Sequence, residues 1–258
     1  MTTTRDVFGA PCWISLMAHD LPAAEAFYRA VLGWQFRAAR LGADFSTAVV
    51  GGGPVAGIGA VAPALQVAAA WIPFFAVTGA DEAAARVRER GATLAVGPLT
   101  FPVGRGALAA DRDGAVFGIW QGQLVSDWPS WRDKAPVWLR LRTRDALDAT
   151  IFYGQVLQWA GSGPGSCQVD YEGDEVVVRQ DEHVVARISS GAIESVPDTT
   201  IRPRWIVHFP VPDVAATVNA ARRSGGLVLG HSRTAEGQMA ILSDPEGAVF
   251  SITSGAPT

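Results

Sequence analysis

The chain has 258 residues, 48% of them hydrophobic and 18% charged, so it is long enough to bury the cores of two domains of common size. Its net charge of −4 excludes the basic surface that nucleic-acid binding requires. No apolar run reaches the roughly 18 residues that cross a bilayer, and no stretch resembles a signal peptide. We therefore expect a cytoplasmic protein with no membrane partner. Its two cysteines, Cys12 and Cys167, are expected to be buried.

The first predicted elements are a strand and a helix. Residues 13–18 alternate in the manner of a strand whose two faces have different neighbours. Asp20 is placed to cap the helix that follows, and Gly33 to end it. Two short strands are predicted next, at residues 45–50 and 57–61.

A second strand and helix, at 72–77 and 81–90, complete the first half, and residues 123–135 read as a linker. The second half shows the same order of elements. The pattern of strand, capping Asp and helix recurs from Leu139 to Trp159, with Asp145 as the cap and Gln158 in place of the terminal glycine. The later strands and helices are predicted at 168–171, 175–179, 184–188, 206–211 and 214–223.

The two halves repeat one another. The segment that begins at Trp13 recurs at Trp138, and the segment that begins at Trp71 recurs at Trp205. Repetition at this spacing predicts two similar domains, residues 1–122 and 136–258, that arose from a duplicated unit.

Three motifs carry a resemblance to a known family. They are Asp20-Leu-Pro with Phe27-Tyr28, Val31-Leu32-Gly33-Trp34, and Asp244-Pro-Glu-Gly-Ala-Val-Phe250. Together with the repeat, they resemble the vicinal oxygen chelate superfamily, which includes glyoxalase I, bleomycin-resistance proteins and extradiol dioxygenases. The chain looks most like its two-domain, actinobacterial-type members. The resemblance implies an α+β fold of four βαβββ modules, paired into two cup-shaped glyoxalase-like domains.

The metal site that many family members use is not expected in this chain. The resemblance implies that metal ligands occupy the positions of Trp13, Ile72, Trp138, Ile206, Gly118 and Ser251. The first five cannot bind a metal through their side chains, and a lone serine hydroxyl is a poor ligand. The sequence therefore predicts no metal and no other cofactor, although three ligands from distant positions stay an alternative.

Alternation predicts which side chains face each cup. The first cup receives Trp13, Ser15, Met17, Ile72, Phe74, Ala76, Gly118 and Trp120. The second receives Trp138, Arg140, Arg142, Ile206, His208, Ser251 and Thr253. Aromatic walls with few polar groups suit a planar organic ligand. The alternatives are that these side chains only fill the cups, and that the two arginines form ion pairs with Asp170, Glu172 or Glu182.

Three functions follow from these observations. The first is metal-independent binding of a hydrophobic, aromatic small molecule or natural product, as in the family's antibiotic-resistance proteins that sequester drugs. The second is a metal-free isomerase, cyclase or lyase of secondary metabolism. In such an enzyme His208 would be the acid or base, and Arg140 or Arg142 would stabilise an oxyanion. The third is a metal-dependent lyase or dioxygenase. The predicted partner is a small molecule, and the predicted state is a monomer or homodimer.

Overall fold

The computed structural model describes residues 3–4, 7, 9–124, 138–159, 166–181, 183–193, 202–234 and 237–254. Most of the predicted linker and Glu182 lie outside these residues. Within the described part of the chain, no helix is long and apolar enough to cross a membrane.

Sixteen strands and five helices are present in the described residues. The strands are β1 Pro11–Met17, β2 Gln35–Ala38, β3 Phe45–Val50, β4 Gly53–Gly59, β5 Ala70–Ala76, β6 Thr93–Phe101, β7 Gly104–Ala110, β8 Val116–Gly122, β9 Trp138–Arg142, β10 Cys167–Glu172, β11 Glu175–Gln180, β12 His183–Ser189, β13 Arg204–Pro210, β14 Leu227–Thr234, β15 Gly237–Ser243 and β16 Val249–Thr253. The helices are α1 Leu21–Leu32, α2 Ala62–Leu65, α3 Ala80–Glu89, α4 Ala146–Leu157 and α5 Val214–Arg223.

The strands form two eight-stranded sheets of the same topology. The order is β2-β3-β4-β1-β5-β8-β7-β6 in the first and β10-β11-β12-β9-β13-β16-β15-β14 in the second. The second order is the first shifted by eight strands, so the sequence repeat is also a structural repeat. Each half contains two βαβββ modules, and the predicted α+β fold class is confirmed.

Local sequence explains where the helices begin and end. The Asp20 carboxylate accepts a hydrogen bond from the backbone N–H of Ala23 at 2.8 Å, and Gly33 ends α1 with a left-handed φ of 69°. Asp145 caps α4 in the same way, but Gln158 takes the left-handed conformation at its end, with φ 61°. The predicted strand at 57–61 was misplaced, since β4 begins at Gly53 and pairs with β3 from its first residue.

Contacts divide the chain into two compact units. Unit one comprises residues 1–14, 72–128 and 139–205, and unit two comprises residues 15–71, 129–138 and 206–258. Helix α3 packs on α4 within unit one, and α1 packs on α5 within unit two. Each unit therefore combines one module from each sequence half. The domain boundaries drawn from the repeat stay a prediction.

A buried tyrosine occupies the core of unit one. The hydroxyl of Tyr153 donates to Asp111 at 2.8 Å and accepts from the indole N–H of Trp205 at 2.9 Å. Asp111 also accepts hydrogen bonds from two backbone N–H groups of its own turn, which stabilise that turn. Burial raises the pKa of Asp111 above its ordinary value, against the lowering effect of these hydrogen bonds.

Unit two has the same arrangement. Tyr28 donates to Asp244 at 3.0 Å and accepts from Trp71 at 2.8 Å. The ring of Tyr28 stacks on that of Trp34, with 5.6 Å between the centroids. In both units, then, a helix of one sequence half is hydrogen-bonded to a turn of the other half.

Candidate functional site

His208 and Trp138 are packed together in unit two. Their rings are nearly parallel, with an interplanar angle of 7° and 5.8 Å between the centroids. The next residue, Phe209, packs into the aromatic core against Trp34, so His208 lies on the opposite face of β13, as alternation predicted. Only 5% of His208 is exposed.

Ser251 completes this group. It lies directly opposite His208 on the parallel strand β16 and is fully buried. Its hydroxyl donates to the carbonyl of Ala240 at 3.3 Å, so it is held within its own sheet. Ile206, two residues before His208, is also buried. The structure thus brings together four of the residues predicted for the second cup, one of them ionisable.

Ser15 and Met17, predicted for the first cup, are buried in unit two. Ser15 lies opposite Gly57 on β4. Nearby, the ring of Phe45 covers Gly59 so closely that a Cβ on this glycine would lie 2.7 Å from the ring. The sequence analysis did not identify Phe45 as a site residue. An aromatic residue on one strand with glycines on the next is nevertheless a pattern that indicates such a contact.

Phe74 and Trp120 cover glycines in unit one. Phe74 lies opposite Gly118, and a Cβ on Gly118 would lie 2.7 Å from ring carbon Cγ of Phe74 and closer still to Cδ1 and Cε1. Trp120 likewise lies over Gly104 and Gly106, and its indole N–H donates to a backbone carbonyl at 3.0 Å. An aromatic ring therefore occupies the space beside position 118, where the family resemblance implies a metal ligand.

The described residues offer no complete set of ligands for a divalent cation. Within the described ranges, no group of three or more His, Cys, Asp or Glu side chains is close enough to hold a metal ion. Ile72 is 1% exposed and offers no donor atom, while Trp13 is half-buried. Imidazole and carboxylate groups supply most of the affinity for such ions, so the donor set required for a metal site is missing from these ranges.

The two predicted arginines differ in their surroundings in unit one. Arg140 forms an ion pair with Glu175 at 2.7 Å. Ion pairing was an open alternative, but the partner is not among the three carboxylates considered. Arg142 forms no ion pair in the part of the chain that is described, and its guanidinium donates only one long hydrogen bond, 3.4 Å, to the carbonyl of Gly191.

Other reactive groups add no second site. Cys12 and Cys167 are buried, as predicted, and burial raises the pKa of the Cys167 thiol to about 12. A thiol rather than a thiolate is a poor nucleophile. A shallow pocket in unit two, lined by residues that include Asp213, Arg233 and Gln238, contains none of the predicted site residues.

Comparison with known proteins agrees with this architecture. Residues 12–119 match the family model described as the glyoxalase/bleomycin resistance protein/dioxygenase superfamily, and residues 138–253 match a glyoxalase-like domain. The anthracycline biosynthesis protein DauV of Streptomyces sp. strain C5 is 30% identical over 283 residues, which cover 96% of this chain and 94% of the relative.

Two solved structures show the same fold at low sequence identity. The Mn(II)-bound glyoxalase from Novosphingobium aromaticivorans is 17% identical, with a TM-score of 0.56, over 98% of this chain and 83% of that one. An extradiol ring-cleaving dioxygenase from B. fuscum is 14% identical, with a TM-score of 0.57, over 98% and 73% of the two chains.

Proposed function

Because the chain belongs to the glyoxalase/bleomycin resistance protein/dioxygenase superfamily, and has homologues named for anthracycline biosynthesis, we propose that it binds a planar, aromatic small molecule without a metal ion. The main observation in support of this proposal is that aromatic rings lie at or beside positions where the family resemblance implies metal ligands. Trp138 itself stands at one such position and stacks on His208, and Phe74 covers another at Gly118.

Physical chemistry supports this choice of ligand. Aromatic side chains bury a large area, and offset or edge-on ring contacts add about 0.5–1.5 kcal/mol each beyond that area. A half-buried ring such as Trp138 retains surface with which a second ring can make contact. Binding of this kind requires neither an activated nucleophile nor a Lewis acid.

A titration with a neutral planar probe tests the proposal. Anthraquinone carboxamide is added to the full chain, and quenching of tryptophan fluorescence is followed after dialysis against a chelator and again with added Mn²⁺ or Zn²⁺. We expect saturable binding of equal strength in all conditions. Binding that appears only with the metal, or no binding at all, would contradict the proposal.

Matched variants locate the binding site. Trp138→Leu removes a ring contact worth about 0.5–1.5 kcal/mol, so affinity should fall by roughly two- to tenfold. Trp13→Leu changes the corresponding position of the other sheet and should have a smaller effect. The opposite ranking would place the working site in the first sheet.

Metal-free acid–base catalysis is the second candidate. It is supported by the imidazole of His208, which is almost fully buried against Trp138 and opposite Ser251, an environment in which water is largely excluded. Mass spectrometry of an aromatic ligand co-purified with the chain, before and after incubation, separates the two functions. An unchanged ligand supports binding alone, whereas conversion that is lost in His208→Gln supports catalysis.

A further inference from the structure

Each unit contains a carboxylate clasp that joins a turn of one sequence half to the start of a helix of the other half. In unit one, Asp113 in the turn between β7 and β8 contacts Arg144, just before α4. In unit two, Glu246 in the turn between β15 and β16 contacts His19 and Asp20, just before α1. In the sequence repeat, Glu246 corresponds to Asp113 and His19 corresponds to Arg144. The two clasps therefore occupy equivalent positions but differ in their basic residue.

The clasp of unit one contains a permanent charge pair. Asp113 accepts hydrogen bonds from the hydroxyl of Thr143 at 2.7 Å, from the backbone N–H of Arg144 at 2.9 Å and from Nε of Arg144 at 2.6 Å. Desolvation would raise the pKa of Asp113, but these bonds, chiefly from Arg144, hold it below its ordinary value. Because a guanidinium is always charged in proteins, this clasp does not depend on protonation of its basic residue.

The clasp of unit two has the backbone hydrogen bonds without the permanent charge. Glu246 accepts from the backbone N–H groups of His19 at 2.8 Å and of Asp20 at 3.1 Å, and its Oε2 lies 3.4 Å from Nδ1 of His19. At this distance a neutral imidazole contributes at most a long hydrogen bond, whereas a protonated imidazole forms an ion pair. Histidine is the side chain whose ordinary charge change falls between about pH 5 and 8.

Other charged groups lie beside the clasp of unit two. Asp20 caps α1, and Asp244 accepts a hydrogen bond from Tyr28. Burial raises the pKa of Asp244, so the effect of His19 has to be distinguished from that of Asp244. The remaining charged residues of the elements packed here are Glu25, which pairs with Arg29 along α1, Asp44 beside the end of β4, and Arg222 and Arg223 in the last turn of α5.

We infer that His19 makes the clasp of unit two sensitive to pH, so that protonation of its imidazole tightens this clasp while the clasp of unit one stays unchanged. Glu246 favours the protonated imidazole in the folded state. The added stability is therefore present in acid and is lost as the pH rises through the histidine titration. The side chains of His19 and Glu246 are 49% and 19% exposed, so solvent screening limits the size of the effect.

Water-exchange NMR of two backbone amides tests the inference in the full chain. The N–H of Asp20 is bonded to Glu246 and that of Arg144 to Asp113, so their protection factors, corrected for intrinsic exchange, report the two clasps. Between about pH 8 and about pH 5.5, protection at Asp20 should rise roughly two- to fivefold while protection at Arg144 stays constant. His19→Arg should give the higher protection at both pH values, and His19→Gln the lower protection at both.

Arg144→His is the reciprocal variant, because it gives unit one the residue that unit two carries naturally. Protection at residue 144 should then acquire the same rise in acid, and a flat profile in this variant would contradict pairing of imidazole with carboxylate as the cause. Protection at Asp20 that does not change with pH in the wild-type chain would overturn the inference. A rise that persists in His19→Gln would also overturn it, since Asp244 would then be its source.

Discussion

Gly118→Ala tests the contact in which the ring of Phe74 covers Gly118, a position where the family resemblance implies a metal ligand. Gly118 has no left-handed φ, so its backbone accepts an alanine without strain. The obstacle is the ring of Phe74, whose Cγ atom would lie 2.7 Å from the new methyl carbon. Ordinary contacts between such atoms are about 3.5–4.0 Å, so the ring must move by roughly 1 Å.

The expected cost follows from that displacement. Forcing an extra methyl group into a packed site typically costs about 1–3 kcal/mol of unfolding free energy. Phe74→Ala alone should cost about 1–3 kcal/mol, less than the roughly 3–5 kcal/mol of a fully buried phenylalanine, because Phe74 is only half-buried. In the double variant the methyl group enters space that the ring has left, so the overpacking cost should disappear.

Urea denaturation of the wild-type chain, both single variants and the double variant measures this coupling. We expect a favourable interaction energy of about 1–3 kcal/mol between the two changes. Gly154→Ala in helix α4, where no atom lies within 4 Å of a new Cβ, is the control and should stabilise the chain by about 0.5–1 kcal/mol. Additive effects within about 0.5 kcal/mol would show that Phe74 does not cover Gly118.

Two further predictions concern unit one. Tyr153→Phe deprives Asp111 of a charge-assisted hydrogen bond and Trp205 of its acceptor. The unfolding free energy measured by chemical denaturation should therefore fall by about 2–4 kcal/mol. An unchanged unfolding free energy would contradict the role of these two hydrogen bonds in stability. Desolvation alone would raise the pKa of Asp113, but hydrogen bonds, chiefly from Arg144, hold it below its ordinary value of 3.8. The stabilisation by the Asp113 carboxylate is therefore present above pH 3.8 and is lost as the pH falls through the folded-state pKa. Asp113→Asn should lower the unfolding free energy at neutral pH, and this loss should shrink under acid conditions. A loss of unfolding free energy that does not depend on pH would refute this assignment.

Local patterns in the sequence determined the elements and their repetition. Asp20 and Asp145 cap their helices as expected, and the repeated segments fold into sheets of identical strand order. These features depend on neighbours within a few residues. Alternation along β13 likewise places His208 and Phe209 on opposite faces of the strand. The weakest prediction was the start of β4, because a strand that begins at a glycine carries little periodic signal.

Tertiary structure alone decided which side chains became partners. Alternation places Arg140 and Arg142 on one face, yet among the described residues only Arg140 has a carboxylate within reach. The neighbouring strands of the sheet set the distance from Arg140 to Glu175. The bond from Tyr153 to Asp111 joins residues 42 positions apart, one on helix α4 and the other in the turn between β7 and β8. Periodicity along a chain specifies the face of an element, whereas the partner across the interface depends on how elements distant in sequence pack to bury their apolar faces.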